Sequence, residues 1–188
     1  MISEAKVTGY YEKRDLHSHI ITSLWLAGIE KPTPQDLSAV DELHIGGIDA
    51  TRFVSAALSL TPSGKILDIG CGIGGPARFI ATDKGCHVTG IDLTESFVET
   101  GNHLSRLVGL EDQVMLNTGN ALALPFGENE FDAAYMIYVG MNIADKNQLI
   151  GEAARVIKPG GHFVIYDVMQ MRSTLHYPLP SAETEKTS

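Results

Sequence analysis

The chain has 188 residues, a formal charge of −9, and a composition that is 44% hydrophobic and 20% charged. That length suits one domain with its own core. The acidic balance carries no Lys/Arg run or basic stripe, which argues against nucleic acid as a partner, and the longest apolar stretch, around AAYMIYVG, is too short to span a bilayer.

Taken in chain order, DLHSHIITSLWLAGI (15–29) places Leu16, His19/Ile20, Ser23/Leu24 and Ala27 at helical spacing. KPTPQDLS (31–38) reads as a proline-bearing break, and GGIDATRFVSAALSL (46–60) as a second helix ended by TPSG. The rhythm then alternates. KILDIG (65–70) is a buried strand, GPARFIATDKG (75–85) a helix with a C-cap glycine, and HVTGIDL (87–93) a strand. Thr94 is the expected N-cap of ESFVETGNHLSRLVGL, with Glu95 placing an acid in the first turn. QVMLNTG (113–119) and FDAAYMIYV (131–139) are strands, and DKNQLIGEAARVIK (145–158) is a helix closed by a turn at Pro159-Gly160-Gly161. HFVIYDV (162–168) is a fifth strand. Strands and helices joined this briefly make right-handed βαβ units, so the expected fold is α/β with a doubly wound, mostly parallel sheet behind an N-terminal helical segment.

The loop after the first strand holds the chemistry. ILDIGCGIGGPARFIA (66–81) runs from Asp68 into Gly70, Gly72, Gly74 and Gly75. Such glycines reach positive φ and let backbone approach a ligand, and the amides that open the next helix suit an anionic group. Gly70, Gly72 and Gly75 also satisfy the dinucleotide spacing, and Asp92 closes the second strand where an acid meets ribose hydroxyls. The loop alone therefore leaves nicotinamide and other adenosine ligands open. Asp68, placed by this reading in the loop mouth, would repel a pyrophosphate and attract an ammonium. Two features follow: the loop GNALALPFGENEFD (119–132) and the helix–turn–strand RVIKPGGHFVIYD (155–167).

Together these motifs resemble the class I S-adenosylmethionine-dependent methyltransferases over roughly residues 60–168. VDELHIGGIDAT (40–51), GMNIADK (140–146) and YPLP (177–180) are similar to the small-molecule branch containing ubiquinone/menaquinone-type and sarcosine/dimethylglycine-type enzymes. The resemblance implies that Asp68, Gly70, Cys71, Gly72 and Gly74 cradle the methionine part of S-adenosyl-L-methionine. It implies Asp92 on the ribose, Leu93 against the adenine, Asn120 and Ala121 at the adenine edge, and Ile137 near the sulfonium. Asn120 stands where the family most often has Asp, and Tyr138 where the branch often has His. Family members continue past the fifth strand with a further helix and an antiparallel strand pair. The sheet is therefore expected to lack its last strands, leaving homo-oligomerisation through an exposed edge open.

The expected organisation is an N-terminal substrate-side cap (1–60), a cofactor-binding core (61–168) and a C-terminal tail (169–188). The candidate catalytic residues are His44, Tyr138 and Asn142, with Tyr10 and Tyr11 as further roof residues. The histidines form no ligand cluster, so no metal is expected. Cys71 and Cys86 stand in no metal or redox spacing and read as reduced thiols. With no apolar h-region at the N-terminus, the expected location is cytoplasmic. The competing readings are a nicotinamide-dependent oxidoreductase and a non-catalytic cofactor-binding or dimerisation module.

Overall fold

The computed structural model describes residues 16–58 and 62–168. Tyr10, Tyr11, the YPLP stretch and the C-terminal tail lie outside the described residues. Three helices precede the sheet: α1 (Leu16–Leu26), α2 (Pro34–Asp41) and α3 (Gly47–Ala57). Then come β1 (Lys65–Ile69), α4 (Gly75–Lys84), β2 (His87–Asp92), α5 (Glu95–Leu107), β3 (Val114–Thr118) and β4 (Phe131–Ile137). A 3₁₀ turn (Gly140–Asn142), α6 (Lys146–Val156) and β5 (Ile157–Tyr166) complete the order.

The five strands are all parallel, in the order β3-β2-β1-β4-β5. Both faces of the sheet are covered, so side chains of the central strands alternate between two apolar layers. Ile66, Ala133, Tyr135 and Ile137 face a layer with Val54 of α3, Ile80 of α4 and Val98 of α5. Leu67, Ile69, Ala134 and Met136 face Leu149, Ala153 and Val156 of α6. Each fully buried Ile or Leu in these layers contributes about 1.5–3 kcal/mol through its removal from water. A third cluster joins Ile20 and Leu24 of α1 and Leu37 of α2 to Ile73 and Leu104. The N-terminal helices are thereby packed onto the glycine loop and α5.

Three local readings change. The stretch read as a proline break contains α2: Thr33 and Asp36 form a reciprocal capping box, and Pro34 occupies the first turn, where its missing N–H costs nothing. Thr94 precedes α5, but its side chain makes no cap bond; instead its own N–H donates to Asp92 Oδ1 at 2.9 Å. The fifth strand begins at Ile157 rather than 162. Phe131 pairs with Ile157 and Ala133 with His162, so the expected Pro159–Gly161 turn is a bulge within β5.

Candidate functional site

The strand order reverses between β1 and β4, and such a switch point opens a crevice at the carboxyl ends of the strands. The residues singled out in the sequence gather there. Asp68 and the glycine loop end β1, Asp92 and Leu93 end β2, and Asn120 and Ala121 follow β3. Ile137, Tyr138 and Asn142 end or follow β4. His44 arrives from the N-terminal segment, its ring stacked on Tyr138 with centroids 6.2 Å apart.

Gly70, Gly72 and Gly74 all have positive φ, as expected of the loop. A Cβ on Gly70 would lie 2.2 Å from Val139 Cγ2, so that glycine lets the loop pass the turn after β4. A Cβ on Gly72 would meet nothing within 4 Å, which marks the open side of the loop. The loop amides do not point there. Gly70 and Cys71 N–H both donate to Ile91 O, Gly74 N–H donates to Cys71 O, and Gly72 N–H donates to Asp92 Oδ2 at 2.9 Å. The amides that open α4, on which the expectation for an anionic group rests, are not among these four. The Asp92 carboxylate is thereby tied to the main chain of the loop. The Cys71 side chain is buried against Gly90, and burial pushes its thiol well up.

Asp68 does not sit in an open mouth. It is the fourth residue of β1, fully buried, and Tyr135 Oη donates to its Oδ2 at 2.8 Å. Burial, with added repulsion from Asp92 and Glu42, pushes its carboxyl up to about 7 against the opposing hydrogen bond from Tyr135 and charge of His44. Burial also raises Asp92, although Thr94 and Gly72 amides hold its two oxygens. Asn120 Oδ1 accepts from Leu122 N–H at 2.8 Å in a turn that bridges to Ala123.

His44 is engaged at both ring nitrogens. Nε2 lies 2.8 Å from Glu42 Oε2, and Nδ1 lies 3.4 Å from Ile45 O. Thr51 Oγ1 donates to the same Glu42 oxygen at 2.7 Å. Facing two acceptors, the ring satisfies both as an imidazolium. Burial disfavours that charge, but the hydrogen bond and charge of Glu42 outweigh it, and His44 is raised above its ordinary value. Among the described residues, Glu42 Oε1 is buried without a partner. Tyr138 packs on Tyr166, which packs on Phe53, so a row of four rings runs from His44 outward. Tyr138 holds a positive φ of 57°, and its N–H donates to Tyr166 O at 2.9 Å.

Sequence reading missed Glu42, Thr51, Tyr135 and Arg78. Arg78 is 1% exposed and makes five hydrogen bonds: two to Asp41 Oδ2 and one each to Ile73 O, Gly101 O and Ser105 Oγ. It ties α2, the glycine loop and α5 together. The readable signal was a charge at an inward position of a helix otherwise lined by Ala77, Ile80 and Ala81. Among the described residues no group of three or more His, Cys, Asp or Glu could hold a metal ion, and no helix is long and apolar enough to cross a membrane.

Comparison with known proteins supplies the rest. The family described as methyltransferase domain matches residues 67–165. The chain is 29% identical over 170 residues to methyltransferase GfsG of Streptomyces halstedii, covering 90% of this chain and 60% of that protein. It resembles the geranyl diphosphate C-methyltransferase of Streptomyces coelicolor A3(2), solved with Mg2+, geranyl diphosphate and S-adenosyl-L-homocysteine. There the TM-score is 0.59 at 27% identity, over 61% of this chain and 43% of that one. It also resembles the [4+2]-cyclase SpnF, with a TM-score of 0.66 at 28% identity over 87% of this chain and 60% of that one. The chain therefore spans less than two thirds of each of these proteins.

Proposed function

The chain belongs to the methyltransferase-domain family, and from that premise we propose that it is an S-adenosylmethionine-dependent methyltransferase acting on a small-molecule acceptor. The observation that carries the reading is the bond from Gly72 N–H to Asp92 Oδ2. It ties the glycine loop to the acid that ends β2, while the Cβ side of Gly72 stays open. With that amide spent on Asp92 the loop has one donor fewer for a pyrophosphate, whereas a ligand without phosphate makes no such demand. The buried, unpartnered Glu42 Oε1 fits the same ligand.

The assigned roles follow the strand ends. Gly70, Cys71, Gly72 and Gly74 would hold the methionine end, with Cys71 contributing main chain rather than its inward thiol, and Asp68 would act on it from the buried layer beneath the loop. Asp92 would hold the ribose through lone pairs its amide partners leave free. Leu93, Asn120 and Ala121 would frame the adenine, and Ile137 would pass close to the sulfur. Bound S-adenosylmethionine supplies a methyl group activated by its sulfonium. The protein's part is to hold the acceptor in line and exclude water. His44 serves as the platform for the Tyr138 ring rather than as a free base, because both its nitrogens are engaged. Tyr138 and Asn142 are assigned the polar contacts to the acceptor. The ring row ending at Tyr166 and Phe53 favours an acceptor with an extended apolar part.

The same reading takes residues 1–60 as a substrate-side cap on the core at 61–168, with 169–188 as a tail. It carries a cytoplasmic location, no nucleic-acid partner, and self-association through β5, which ends the sheet as described.

Calorimetric titration with S-adenosylhomocysteine, with NADH in parallel, tests the proposal. Saturable binding of the first alone is expected. Binding of NADH alone overturns it.

A further inference from the structure

We propose that Glu42 is a further cofactor-binding residue whose Oε1 accepts a hydrogen bond from the α-ammonium of the S-adenosylmethionine methionine portion. The inference rests on the cofactor reading above. Its first support is a mismatch of partners. The Glu42 side chain is 3% exposed, and both of its protein donors, His44 Nε2 and Thr51 Oγ1, converge on Oε2. Oε1 is buried without a partner among the described residues. A carboxylate oxygen taken from water and given no donor is costly, so this oxygen is set to receive one that arrives with a ligand.

The second support is position. A Cβ on Gly75 would stand 2.4 Å from the main-chain oxygen of Asp41, so the end of α2 is seated at the head of α4, beside the glycine loop. Glu42 is the next residue. The His44 ring that Glu42 holds reaches Tyr138 at the end of β4, across the crevice. Glu42 thus stands beside the loop that receives the methionine portion, near enough to Asp68 for its charge to act there.

The third support is charge. The charged groups that act on Asp68 are the carboxylates of Asp92 and Glu42 and the imidazole of His44. Negative groups outnumber the single cation in this set. A ligand ammonium supplies both the missing donor and the missing positive charge, and an ammonium–carboxylate hydrogen bond is stronger than a neutral one. A ligand hydroxyl would supply only the donor.

The test compares two ligands on three proteins. S-adenosylhomocysteine carries the α-ammonium; 5′-methylthioadenosine keeps the adenosine and the thioether but lacks the amino-acid portion. Both are titrated calorimetrically into the wild type, Glu42→Gln and Glu42→Asp, with thermal unfolding confirming that each variant is folded. Glu42→Gln is expected to weaken S-adenosylhomocysteine about tenfold or more, as for loss of a charged hydrogen bond, while 5′-methylthioadenosine stays within about twofold. Glu42→Asp keeps the charge but withdraws the oxygen by one methylene. It is expected to show the same selective loss at smaller size, and it decides the matter if Glu42→Gln does not fold. Equal weakening of both ligands would mean that Glu42 only supports the cap, and overturns the proposal. Unchanged binding of both overturns it as well. Failure of the wild type to bind either ligand overturns the cofactor reading itself, and is told apart because it precedes any variant.

Discussion

Tyr135 on β4 is the register partner of Asp68 on β1, and its hydroxyl donates to the Asp68 carboxylate at 2.8 Å where neither side chain reaches solvent. The pair places an acid inside the sheet directly beneath the glycine loop. Because the Asp68 carboxyl is pushed from its ordinary 3.8 up to about 7, the fold favours its protonated form. The stability this contributes is fully present below the unfolded value and is lost as pH rises through about 7. Between pH 5 and pH 8 the wild type should lose on the order of 2 kcal/mol that Asp68→Asn does not lose. Asparagine keeps an oxygen for Tyr135 while removing the charge. Urea unfolding of both proteins at the two pH values measures the gap. Parallel stability curves would rule out a titrating Asp68.

His44 titrates against the opposite bias. Burial alone would lower it, yet Glu42 raises it above 6.5. The imidazolium contribution to stability is fully present below the unfolded value and fades as pH rises through the raised one. An NMR titration of the His44 ring proton should therefore give a midpoint above 6.5. Thr51→Val leaves the Glu42 contact in place and should keep the midpoint high, whereas Glu42→Gln should bring it down. A midpoint below 6.5 in the wild type would remove the imidazolium from the site.

Arg78 and Asp41 form a buried ion pair at 2.8 Å, with side chains 1% and 2% exposed. Breaking such a pair strands a charge in the interior, so Arg78→Met should cost about 3–5 kcal/mol. Adding Asp41→Leu should recover part of that loss, because the stranded carboxylate is then gone. Chemical denaturation of the single and double variants decides it. A double variant no more stable than the single would assign the cost to the main-chain bonds with Ile73 and Gly101 instead.

Two glycines of the loop separate fold from ligand. Gly72→Ala meets no atom within 4 Å, so its cost is backbone strain at φ +52°, about 1–2 kcal/mol. The added methyl enters the open side, and S-adenosylhomocysteine affinity should fall by about tenfold or more where backbone must approach a ligand closely. Gly70→Ala meets Val139 at 2.2 Å, so it should destabilise by about 2–4 kcal/mol, strain and overpacking together. Thermal unfolding and titration of both variants test the contrast. A Gly72→Ala protein with unchanged affinity would place the ligand elsewhere.

Much of this fold was legible in one dimension. Strands with apolar residues on both faces, and helices spaced between glycine caps, announce a parallel sheet because those signals are local and repeat with a fixed period. The glycine loop was equally plain, since positive φ at Gly70, Gly72 and Gly74 demands that residue type. Helix α2 was missed although Thr33 and Asp36 spell its capping box, because Pro34 reads as a breaker until its place in the first turn is known. The sequence by itself thus determined the alternation of elements, the glycine loop and the cluster of strand-end residues around it. Only the tertiary structure decided the order β3-β2-β1-β4-β5 and the choice of buried partners. Tyr135 meets Asp68 across 67 residues of chain and Arg78 meets Asp41 across 37. Such pairings leave no local periodicity, because a buried charge is satisfied by whatever the packed layers bring within hydrogen-bond reach, and that is settled only when the sheet closes.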